Sequence, residues 1–132
     1  QVPAAFVAAM AMGYGLALAG VALPLVEPAI LASVVVIGLL VAIAAPVPAS
    51  AGMAIVALFG VFHGFAHGGE IGTAGIAGYG IGFALATMAL HLAGVGVGIS
   101  LMAVLGRTSG VAASRMIGGA AAAGGLVLVL VN

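Results

Sequence analysis

The sequence predicts an all-α membrane protein: a polytopic bundle with about five transmembrane helices visible in 132 residues. Three observations carry this. Charged residues make up 3% of the chain and hydrophobic residues 66%, whereas a soluble domain is about one quarter charged and needs a polar exterior over its core. Mean hydropathy is +1.51. The apolar runs are continuous and do not alternate in short segments, which excludes a transmembrane barrel and leaves the helix, which satisfies its own backbone in lipid. At about 20 apolar residues per crossing, five helices and their turns use the whole length, so residues 1–132 read as a single transmembrane domain.

Proline, glycine clusters and the few charges mark the breaks. The first helix is expected over about residues 3–23, with Pro3 tolerated in the first turn because the missing N–H has no helical partner there. Pro24-Leu25-Val26-Glu27-Pro28 reads as a turn, and the second helix as about 28–45. Pro46-Val47-Pro48-Ala49-Ser50 closes it and offers Ser50 as a cap for a third helix over about 51–67. Glycines crowd the stretch 68–82. A helix unbroken from Thr73 to Leu105 would be about 50 Å long against about 30 Å of hydrocarbon, so the fourth helix, placed at about 75–105, must tilt, extend beyond the lipid or start late. A positively charged loop from Gly106 to Arg115 precedes a fifth helix over about 112–131.

Arg107 and Arg115 orient the bundle, because positive residues in short loops stay cytoplasmic. Alternation then puts the 68–75 connection and the Glu27 turn outside, and the proline turn at 46–48 inside. Glycines recur four apart at Gly60, Gly64, Gly68 and Gly72, at Gly94 and Gly98, and at Gly106 and Gly110. Such spacing lets helix backbones approach closely, and packing within the bundle is favoured over a homodimer face.

Composition excludes several function classes. Net charge is zero, with no basic stripe for nucleic-acid phosphates. Cysteine is absent, so thiolate metal sites and thiol catalysis are excluded. The motifs of membrane enzymes are missing: there is no His-Glu-x-x-His, no Gly-x-Ser-x-Gly and no Walker loop, so the chain reads as a non-enzyme without a permanently bound cofactor.

Three of the few ionisable residues lie within eight positions, in Phe62-His63-Gly64-Phe65-Ala66-His67-Gly68-Gly69-Glu70. On a continuing helix His67 is displaced about 40° from His63 and Glu70 about 20°, which puts all three on one face. Ionisable groups in a membrane helix are costly enough to point to function. Imidazoles four apart suit a transition-metal ion, and a carboxylate compensates its charge. His63 and Glu70 are separated by about 10 Å of rise, too far to share one ion, so either the ion passes along the face or Gly68-Gly69 breaks the helix and Glu70 folds back. The bland alternative is that the histidines are interhelical glue. His91 is a deeper candidate on the fourth helix, Glu27 a solvated turn residue, Tyr14 and Tyr79 interfacial or packing residues, and the six methionines gap-filling.

The His/Glu run resembles the F-H-G-x-A-H-G-x-E signature of the HupE/UreJ family, small polytopic membrane proteins of hydrogenase and urease gene clusters regarded as nickel or nickel/cobalt permeases. The segments 3–13 and 86–94 resemble two further helices of that family. The family's earlier His-Pro-x-x-Gly-x-Asp-His motif has no counterpart here, so the resemblance implies about six helices in the full protein, with the first preceding Gln1. It implies a bacterial inner-membrane permease for Ni²⁺, with Co²⁺ as second cargo. His63, His67, Glu70 and His91 would line the path, and the partners would be the lipid bilayer, the metal ion and other membrane subunits. The competing expectations are an accessory or structural subunit of a larger membrane complex and a proton path along the same His/Glu line.

Overall fold

A computed structural model describes residues 1–71 and 75–131. The described chain is all-helical: α1 (Val2–Leu18), α2 (Val26–Ala42), α3 (Ala49–Gly68) and α4 (Ile76–Val131). Gly106, at φ 75 and ψ 166, breaks α4 into helical segments 76–105 and 107–131. Ala49–Gly68 and Ile76–Val131 are long and apolar enough to cross a membrane; α1 and α2 are apolar helices of 17 residues each.

The helix ends differ from expectation for identifiable reasons. α1 stops at Leu18 and not near residue 23, because Gly20 at φ 73 closes a Schellman motif in which its N–H donates to Ala17 O and that of Val21 to Leu16 O. The same motif ends α2 at Ala42, three residues early, with Ala44 at φ 49 in the left-handed position and Ala44 and Ala45 donating to Val41 O and Leu40 O. α2 also begins earlier than expected, so Glu27 lies in its first turn, where the helix dipole favours a carboxylate. Pro48 and not Ser50 is the N-cap of α3, with no side-chain cap bond. The fourth helix starts at Ile76 and its first segment, at about 45 Å, still exceeds the hydrocarbon thickness. The expected loop from Gly106 to Arg115 is a correction of a different kind: only Gly106 leaves the helix, and the polar residues after it are helical.

Two compact units make up the chain. The first contains residues 1–30 and 47–91. Here α1 packs on α3 through glycine. A Cβ at Gly60 would lie 2.8 Å from Phe6 O, and one at Gly64 or Gly13 would overlap Met10 O or Val61 O respectively. Gly68 continues the stripe against Ala17 and Tyr14 O. The spacing at 60, 64 and 68 therefore serves packing inside the unit, while Gly72 of the same stripe lies outside the described residues. Met10, 2% exposed, fills the interface, and Thr87 donates a hydrogen bond to its sulfur at 3.5 Å.

The second unit contains residues 31–46 and 92–132. Straight helix would separate Leu101 from Gly110 by about 13 Å, yet a Cβ at Gly110 would lie 2.8 Å from Leu101 O, so the chain doubles back at Gly106 into a helical hairpin. Gly118 and Gly125 admit Val41 and Val34 of α2 in the same way, and Gly38 admits Ala122. Arg115 Nε donates to Ala42 O at 2.7 Å, satisfying a terminal carbonyl of α2 with a charge of the sign its dipole favours. Gly94 and Gly98, by contrast, meet nothing within 4 Å. Large apolar side chains remain uncovered along the helices, among them Leu90, Val104 and Leu130, each more than 70% exposed.

Candidate functional site

The three histidines and Glu70 lie in the first unit, where they form two groups. The first sits where α3 ends. Gly69 is the C-cap with right-handed φ and ψ, and the N–H of Gly69 and of Glu70 donate to Ala66 O and His67 O. This tight final turn folds Glu70 back toward the helix, so that His67 Nδ1 donates to Glu70 Oε2 at 2.9 Å. The return depends on the turn and not on a left-handed glycine. Gly68 itself is helical and serves the contact with α1. Tyr79, in the first turn of α4, completes the group: its hydroxyl lies 3.0 Å from His67 Nδ1 and donates to Glu70 Oε2 at 3.3 Å. Phe83, one turn further on, lies against the His67 ring with centroids 4.1 Å apart.

The second group is built around Phe6 of α1. His63 meets its ring at 5.6 Å and 63°, and His91 meets it at 5.2 Å and 43°. Each imidazole donates from Nδ1 to the carbonyl one turn earlier in its own helix, His63 to Phe59 O at 3.0 Å and His91 to Thr87 O at 2.8 Å. A carbonyl can only accept, so Nδ1 carries the hydrogen in both rings, and in the neutral imidazole the lone pair is then on Nε2. The carboxylate fixes the same tautomer in His67. Among the described residues no polar partner meets Nε2 of any of the three.

His63, His67 and Glu70, one face in a helical projection, are thus not one cluster. His67 pairs with Glu70, and His63 pairs across Phe6 with His91. Among the described residues no group of three or more His, Cys, Asp or Glu converges closely enough to hold an ion. The arrangement offers single imidazole nitrogens, one backed by a carboxylate, and no closed cage. Glu27 is exposed in the first turn of α2 and joins neither group. Phe6 is the residue that sequence reading missed; Tyr14 and Tyr79, expected as interfacial or packing residues, do pack on each other, but the Tyr79 hydroxyl also joins the His67–Glu70 pair. The one available signal was scarcity: the chain holds two tyrosines, and Tyr14 and Tyr79 stack on each other at 6.3 Å and 9°.

The whole arrangement lies within a match to the HupE / UreJ protein family that runs over residues 1–128. The chain belongs to the HupE/UreJ family. It is similar to Protein HupE of Rhizobium leguminosarum bv. viciae, 40% identical over 130 residues that cover 98% of this chain and 66% of that protein, so it spans just under two thirds of that relative's length. No solved structure matches it. Membership in HupE/UreJ, expected from the His/Glu run, is thereby established for nearly the whole chain.

Proposed function

We propose that this HupE/UreJ chain belongs to a multi-pass permease of the bacterial inner membrane, carrying Ni²⁺ and, as second cargo, Co²⁺ through a His/Glu-lined path. The observation that carries the reading is the common tautomer of His63, His67 and His91: all three commit Nδ1 to a local acceptor and keep Nε2 available, the form in which imidazole binds a metal. Interhelical glue would use the histidines to bond other helices. The Nδ1 bonds of His63 and His91 stay within their own helices, which favours cargo handling over an accessory subunit held by those bonds.

A permease must release what it binds, so sites have to be favourable but weak. Separate imidazoles meet that condition better than a closed tetrahedral cage, whose binding approaches that of a structural site. Imidazole suits divalent nickel, while Glu70 supplies negative charge where an ion would enter. The uncovered apolar side chains and the two long apolar helices support the membrane setting. Uptake of Ni²⁺ by cells expressing the full-length protein tests the proposal. Replacement of His63 and His67 together by alanine is expected to abolish it, and unchanged uptake would overturn it.

A further inference from the structure

We infer that Tyr79 is a positioning residue for cation capture, holding His67 with Nδ1–H on the Glu70 carboxylate and Nε2 left for a ligand, so that it sets how tightly His67 takes a divalent ion. The inference rests on the permease reading for the identity of the cargo; the geometry stands without it.

His67 lies in the last turn of α3 and Glu70 beyond its end, with a side chain 62% exposed. A carboxylate so placed has rotamer freedom, and a single hydrogen bond to an imidazole would not hold it. The Tyr79 hydroxyl adds a second donor to the same oxygen, Oε2, and lies within reach of His67 Nδ1, so three polar groups restrain one another. Tyr79 is restrained in turn. Its ring stacks on Tyr14, and Tyr14 Oη donates to Ile76 O at 2.8 Å, which ties α1 to the first turn of α4. Gly80 leaves room for that contact, since a Cβ there would lie 3.1 Å from Tyr14 Cε1. Phe83 closes against the His67 ring. The imidazole is therefore oriented from α1 and α4 as well as from its own helix.

This is the outer support that metal-ligating histidines use. A carboxylate on the second nitrogen fixes the tautomer and raises the basicity of the ligating one, and losing such a partner costs about 10- to 100-fold in metal affinity. In this chain the tyrosine keeps the carboxylate on the ring. Tyr79→Phe removes the hydroxyl and retains the ring contacts, so the loss is expected at the lower end of that range, about tenfold.

The full-length protein in nanodiscs decides it, by Ni²⁺ titration of the wild type, Tyr79→Phe and His67→Ala, and by ¹⁵N NMR of the histidine ring nitrogens without metal. Tyr79→Phe is expected to unfold as the wild type does, to bind Ni²⁺ about tenfold more weakly, and to show His67 as a mixture of tautomers in place of Nδ1–H alone. Tyr79→Phe binding within about twofold of wild type, with the His67 tautomer unchanged, overturns the inference. If His67→Ala binds Ni²⁺ as the wild type does, the cargo reading fails at this residue. The tautomer spectrum, which needs no metal, then decides the role of Tyr79 by itself.

Discussion

Gly64 of α3 and Met10 of α1 meet backbone to backbone, with no room between them for a single methyl group. Gly13 makes the reciprocal approach to Val61 O. In lipid no hydrophobic drive brings helices together, so close approach of this kind carries much of the association. Gly64→Ala is expected to destabilise the full-length protein by about 3 kcal/mol, the upper end for overpacking, because the obstacle is backbone and cannot rotate away. Gly78 has nothing within 4 Å, and Gly78→Ala is expected to be neutral or stabilising by about 0.5 kcal/mol through helix propensity. Unfolding of both variants in mixed detergent measures the contrast.

Ala44 holds the left-handed position that ends α2 at φ 49, a conformation that disfavours a side chain. Ala44→Gly is expected to stabilise the protein by about 1 kcal/mol, since glycine adopts the same angles without the steric cost. The same unfolding measurement checks it, and a loss of stability would mean that the motif does not form.

The chain contains no cysteine, which makes site-specific labelling of this region free of background. With Arg107 and Arg115 retained inside, Thr108→Cys is expected to react with a membrane-impermeant thiol reagent only from the cytoplasmic side, and Glu27→Cys only from the outer side. Labelling of intact cells against inverted vesicles reads the result. The Arg115 bond to Ala42 O puts the end of α2 beside the arginine-bearing helix, in keeping with that arrangement.

The helices were legible in the sequence because apolar runs and prolines carry their own physics, and the expected segments overlap all of those found. Their ends were less so. Ala44 gives no sign that an alanine will take a left-handed turn, and the polar run after Gly106 looks like a loop until Gly110 is seen packing on Leu101. The return of Glu70 to His67 was among the readings of the Gly68-Gly69 pair, although the geometry comes from the final turn of the helix. The contacts of Phe6 and Tyr79 were not legible at all, since helical periodicity reports the faces of one helix and not which neighbour those faces meet. His63 and His91, 28 positions apart, meet through a phenylalanine that neither spacing nor charge would single out.

In the proposed permease the shared Nδ1 engagement of the three histidines bears on time as well as on strength. With Nδ1 engaged locally, each ring would offer a passing cation one dative bond, from Nε2. On that reading, dwell time at each stop would be set by how fast water or the next imidazole replaces one bond, so substitutions around Phe6 and Tyr79 should alter the rate of passage together with the affinity.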